Sequence, residues 1–135
     1  MGSHEPKPRL RLLAGTFAVY RLPADATVPR DIAEAVPIWT ARTDAELSIV
    51  CRADPALAAA AGETSADWAA IEVAGPIEHT VVGLLAEISA VLAAERISIF
   101  ALSTYDTDYV LVPSSALDRA FAALAAAGFA RSNAQ

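Results

Sequence analysis

Apolar residues in this chain come in short blocks cut by Pro, Gly and polar clusters, which points to strands and helices in mixed order. Residues 10–22 are rich in Leu, Val, Phe and Tyr, which favour a pleated surface, and Gly15 in their midst predicts a bulge or a bend between two strands. The turn-rich PADATVP at 23–29 leads to one helical turn at 30–35. Residues 37–41 and 46–52 read as a hairpin turning at Arg42, Thr43 and Asp44, with Leu47, Ile49 and Cys51 on one face. DPALAAAA at 54–61 predicts a short helix. Asp54 suits the N-cap, Pro55 suits the first helical position, and Gly62 ends the helix. A polar link at 63–67 precedes a strand at 68–74, which Gly75-Pro76 breaks. The strongest helix is 80–95, where Val81, Leu84, Leu85, Ile88 and Leu92 repeat on one face and Glu87 and Glu95 fall off it. Gly83, one turn in, lowers helix propensity by about 1 kcal/mol relative to Ala, which predicts close packing there. ISIFAL at 97–102 is nearly continuous in apolar residues and predicts a central strand. Residues 105–107 turn, 108–112 form the next strand, and Pro113 stops it. A helix at 115–127 follows, with Ser114 or Ser115 as cap and Asp118 in the first turn. It buries Leu117, Phe121 and Leu124, ends at Gly128 and leads to a short strand at 129–131.

From Trp68 onward the order is strand, helix, strand, strand, helix, strand, the βαββαβ pattern of a ferredoxin-like sandwich with helices on one face of an antiparallel sheet. The first half repeats that order in degraded form. The fold class is therefore α+β, with a degenerate N-terminal unit at 9–66 and a C-terminal unit at 67–131 packed side by side. The duplication rests on element order alone. Each unit of about 60 residues is marginal by itself, and side-by-side packing covers sheet edges. Residues 1–8 are polar and rich in Pro and read as a flexible end, with Gly2-Ser3-His4 as a cloning remnant.

Composition narrows the function more than the fold. Of 135 residues, 55% are hydrophobic and 19% charged, which excludes a disordered chain. The 32 alanines make part of that apolar fraction poor in buried area. A net charge of -6 argues against a nucleic-acid backbone and against an anionic membrane surface as partner. The lone Cys51 excludes an internal disulfide and a cysteine-based zinc cluster. There is no signal-like N-terminal segment and no uninterrupted apolar run of membrane-spanning length, so the expectation is a cytoplasmic protein. No cofactor or metal is expected.

Two stretches carry candidate chemistry. Gly75-Pro76-Ile77-Glu78-His79-Thr80 lies between a strand and a helix, a layout that offers backbone N–H groups and the positive end of a helix dipole to an anion such as a carboxylate. It can equally be an ordinary loop, since it carries no phosphate fingerprint. Ser103-Thr104-Tyr105-Asp106-Thr107-Asp108 places two acids in a hydroxyl-rich turn. It is either a capped hairpin turn or a place where Asp106 or Asp108 meets a ligand ammonium. Catalysis is disfavoured. Ser103 with His79 and Asp106 is the one conceivable set, and it lacks a nucleophile elbow. Cys51 reads as a packed thiol, Trp39 and Trp68 as core or interface aromatics, and His79 as a helix-start residue without a second ligand beside it.

The run ISIFALSTYDTDYVLV at 97–112 resembles the signature of ACT domains, specifically the small tandem-ACT proteins related to CASTOR-type arginine sensors. ELSIVC at 46–51, Trp68, residues 73–76, Gly83-Leu84-Leu85 and GTFAVYRL at 15–22 support the likeness, which spans about residues 12–129. The resemblance implies two ACT units and a non-catalytic regulatory module that binds a free amino acid at an interface between such units. The ligand carboxylate and ammonium would meet Gly75, Pro76, Ile77, Glu78, His79 and Thr80, joined by Ser103, Thr104, Asp106 and Asp108. The partner half or a second chain of a homodimer can complete the site. Glu78 and His79 depart from the less charged stretch expected there, and Glu78 would repel a carboxylate unless it points outward. The alternative is an interaction or oligomerisation module with a vestigial pocket.

Overall fold

The computed structural model describes residues 7–74 and 83–132. In chain order the elements are β1 (Leu10–Leu12), β2 (Phe17–Leu22), α1 (Arg30–Ala33), β3 (Trp39–Arg42), β4 (Leu47–Arg52), α2 (Pro55–Ala60), β5 (Glu63–Val73), α3 (Leu84–Ala94), β6 (Phe100–Ser103), β7 (Asp108–Pro113) and α4 (Leu117–Ala126). They group into two compact units, Gly15–Trp68 and the chain on either side of it.

In the Gly15–Trp68 unit the strand order is β3-β4-β2-β5, with antiparallel pairing throughout. Alternation along the strands puts Ala18, Tyr20 and Leu22 of β2 and Leu47, Ile49 and Cys51 of β4 into one core, which Ile32 of α1 and Leu57 of α2 close. Burying two such side chains contributes roughly 2 kcal/mol each, which holds helices far too short to persist alone. Asp54 caps α2 as its sequence predicts, its side chain accepting from Leu57 N at 2.9 Å. The buried Tyr20 hydroxyl is satisfied by the same residue, accepting from Asp54 N at 2.8 Å and donating to Asp54 O at 3.3 Å.

The polar stretch 63–67 is not a link. It is the first half of an eleven-residue β5, with Thr64 and Ser65 paired to Tyr20 and Val19. Those residues are exposed, so their polarity reflects solvent rather than a lack of partners for the backbone. A register shift between Phe17 and Val19, opposite Asp67 at φ 66°, puts a bulge in this pairing.

In the second unit, β1 and β7 flank the last residues of β5, and β6 lies outside β7. The core joins Leu10, Ile71, Val73, Val110 and Val112 of the strands to Ile88 and Leu92 of α3 and Ala120, Phe121 and Leu124 of α4. Four features differ from the sequence expectation. Residues 129–131 make only an isolated parallel bridge, Leu10 to Arg131. The fourth-strand position of the ferredoxin-like order is filled by β1, which pairs antiparallel with Ile71–Val73. Residues 9–14, expected with the N-terminal unit, thus group with the C-terminal one. Leu10 explains this: it is 1% exposed, and its N–H and C=O bond Ala130 O at 2.8 Å and Ser132 N at 2.7 Å.

The second difference is that β6 is an edge strand rather than a central one. Arg96, at φ 58°, reverses the chain out of α3 and delivers Ile97 to the core before the strand begins. Third, Gly83 is the N-cap of α3 at φ 88°, and a Cβ built there would meet nothing within 4 Å. Its role is conformational rather than close packing. Fourth, no side chain caps the start of α4; a single 3-10 turn at Ser114–Ala116 leads into it instead.

Candidate functional site

Gly75, Pro76, Ile77, Glu78, His79 and Thr80 lie outside the described residues. The other candidates, Ser103, Thr104, Asp106 and Asp108, stand on the β6–β7 hairpin, where Ser103 and Asp108 face each other as the terminal pair. The Ser103 hydroxyl donates to Asp108 Oδ1 at 2.6 Å, a short bond of the charge-assisted kind. Thr104 N donates to Thr107 O at 2.9 Å, and Thr107 N donates to Thr104 Oγ1 at 3.3 Å. Between them, Tyr105 stands 84% exposed, and Asp106 is exposed beside it. The turn is therefore a folded, self-bonded loop with Asp106 exposed and Asp108 half-buried.

Thr107 fixes where this turn sits. It is the one buried polar residue among those described, 8% exposed, and its hydroxyl donates to the carbonyl of Val73. Val73 ends β5, so the hairpin turn is tied to the strand end from which residues 75–80 depart. Sequence reasoning placed Thr107 only as a turn former. Burial of a Thr between two acids leaves no periodic signal, because a turn has no face.

A second group missed in the sequence stands beside the turn. Glu72 receives Arg11 Nε at 2.7 Å on Oε1 and the Tyr109 hydroxyl at 3.1 Å on Oε2. Its side chain is 16% exposed and forms an ion pair with Arg11. Burial pushes the Tyr109 hydroxyl pKa up from 10.0; the Glu72 charge and hydrogen bond add to this, Arg11 opposes it, and Asp106 contributes in the same upward direction. The signal was available: Arg11 between Leu10 and Leu12, and Glu72 between Ile71 and Val73, are single charges at alternate positions of apolar strands.

Ser103 Oγ directs its proton at Asp108 Oδ1. No group of three His, Cys, Asp or Glu among the described residues could hold a metal ion. No helix among them is long and apolar enough to cross a membrane.

The fold and this hairpin define an α+β, ferredoxin-like domain, and residues 63–126 match the model of the ACT domain family. That segment holds β5, α3, β6, β7 and α4, and hence every described candidate residue. Among solved structures, a structural-genomics protein of Agobacterium tumefaciens is similar over 95% of this chain and 94% of its own, with 28% identity and a TM-score of 0.82. A protein of unknown function and possible transport role from Vibrio cholerae is 23% identical over 89% of both chains, with a TM-score of 0.69. The ligand-free regulatory subunit of aspartate kinase from Thermus thermophilus shares the fold at 14% identity, covering 90% of this chain and 98% of its own with a TM-score of 0.63. No curated protein matches the chain.

Proposed function

We propose that this protein is a non-catalytic regulatory module that binds a free amino acid. ACT domains are regulatory amino-acid-binding modules, and the matched segment carries the docked acidic turn. In this reading the ligand ammonium meets Asp106 and Asp108, and its carboxylate meets main-chain N–H groups of Gly75, Ile77, Glu78, His79 and Thr80, while Pro76, which has no N–H, lines the loop. Ser103 and Thr104 hold the turn in shape. The site lies at an interface between ACT units, completed in a homodimer, and the chain is kin to the small tandem-ACT sensors of CASTOR type. In this reading it signals through a partner or through assembly.

The observation that carries this reading is the tie from Thr107 to Val73, which holds the turn bearing Asp106 and Asp108 against the end of β5. In the proposed site these acids complement the ammonium of a zwitterion, and the loop that follows β5 is the proposed partner of its carboxylate. The test is a thermal-shift screen of the twenty amino acids. A ligand at one hundred times its Kd stabilises the fold by about 2.7 kcal/mol. Asp108→Ala should abolish the response while the fold remains intact. Silence toward every amino acid at millimolar concentration favours the vestigial-pocket reading instead.

A further inference from the structure

A cleft of about 290 Å³ opens in the Gly15–Trp68 unit, where α1 leads into β3 and β4 leads into α2. It is at the opposite end of these strands from the β3–β4 turn, and it shares no residue with the hairpin at 103–108. Ile32, Ala35 and Pro37 form apolar walls, Cys51 lies at the base, and Asp31, Arg52 and Asp54 supply charge of both signs.

Two of these charges are held on fixed mounts. Arg52 donates from one guanidinium nitrogen to Val36 O at 2.8 Å, and its guanidinium carbon lies 5.2 Å from the centroid of the Phe17 ring. Gly15 leaves room for this arm: a Cβ there would meet Arg52 Cδ at 3.3 Å, and its φ of +83° suits glycine. Asp54 is fixed through its backbone by the Tyr20 hydroxyl and through Oδ1 by Leu57 N. Burial, and next the Asp54 charge, push the Cys51 thiol above 9.0, so the base of the cleft is neutral near pH 7.

We infer that this cleft is a second binding site, for a small zwitterion carrying one ammonium and one carboxylate. The carboxylate pairs with Arg52, whose planar fork matches carboxylate geometry. The ammonium is received by Asp31 and Asp54, and the ligand's carbon skeleton lies on Ile32, Ala35 and Pro37. A lone cation would face Arg52 and a lone anion would face two carboxylates, so each half of the ligand alone binds worse than the two joined.

The test is an amide proton–nitrogen correlation spectrum of the labelled full chain, titrated with each of the twenty amino acids, with butylamine and with butyrate. At least one amino acid should move the signals of Asp31, Ile32, Arg52 and Asp54 saturably, and the two single-charge probes should not at the same concentration. Arg52→Gln and Asp31→Asn should each raise that Kd by roughly tenfold or more. Asp31 is exposed, so its variant remains informative if Arg52→Gln fails to fold. Movement confined to the 103–109 signals would overturn the second site while supporting the amino-acid site proposed above. Saturable movement at Asp31 and Arg52 with silence at 103–109 would do the reverse. Equal response to butylamine, or affinity unchanged in both variants, would overturn the zwitterion assignment.

Discussion

Replacing Thr107 by Val tests the tie that holds the acidic turn in place. The substitution keeps the side-chain shape and removes only the hydroxyl that donates to the Val73 carbonyl. Because Thr107 is 8% exposed, water does not freely take over that bond. The loss combines one net hydrogen bond with partial stranding of a buried carbonyl, about 1–2 kcal/mol in all. For a chain of this size, that lowers Tm by roughly 3–8 °C. Thr104→Val serves as control: its hydroxyl accepts from Thr107 N at 3.3 Å in a more open position, so it should cost less than half as much. Urea unfolding of the three proteins, read by the midpoint at constant slope, checks both values. A Thr107→Val midpoint equal to wild type within about 0.3 kcal/mol would refute the reasoning, because a buried carbonyl cannot lose a donor at no cost.

Three further outcomes follow from the same structure. Leu10→Ala should cost about 2–5 kcal/mol, and the loss should fall on the unit holding α3 and α4, as hydrogen exchange at Ile71, Val73 and Leu124 would report. Gly83→Ala should destabilise by about 1–2 kcal/mol in thermal unfolding although nothing crowds the position, because only the backbone at φ +88° is at stake. Tyr109 has a raised folded-state pKa, so the stability it contributes is complete below pH 10 and is lost as pH rises through the folded value. Unfolding measured from pH 8 upward should therefore fall less steeply in Tyr109→Phe than in wild type, and an identical fall in both would contradict the assignment.

The sequence made most elements legible where a periodic apolar face exists. Ile88 and Leu92 of α3 and Phe121 and Leu124 of α4 are buried as their spacing requires, and Asp54 caps α2. Reading fails where tertiary partners decide. Residues 63–67 look like a linker, yet they complete an edge of β2, and nothing local in Glu63, Thr64 and Ser65 announces that. The apolar run from Ile97 suggests a central strand, but its first residues fill the core below α3 and the strand itself is an edge. Leu10 belongs beside Val73, a pairing more than sixty residues distant that no short-range pattern encodes. At the candidate site, Ser103, Asp106 and Asp108 stood out by residue type. Thr107, Glu72 and Arg11 act through where the fold puts them, which is why type alone passed over them.

The most direct test of the amino-acid site is a crystal structure grown with the amino acid that the thermal screen selects. The account predicts ligand density beyond the end of β5, with the ammonium against Asp106 and Asp108 and the carboxylate against main-chain N–H groups of residue 75 and residues 77–80. Density for that ligand elsewhere, with the turn at 103–108 untouched, would contradict it.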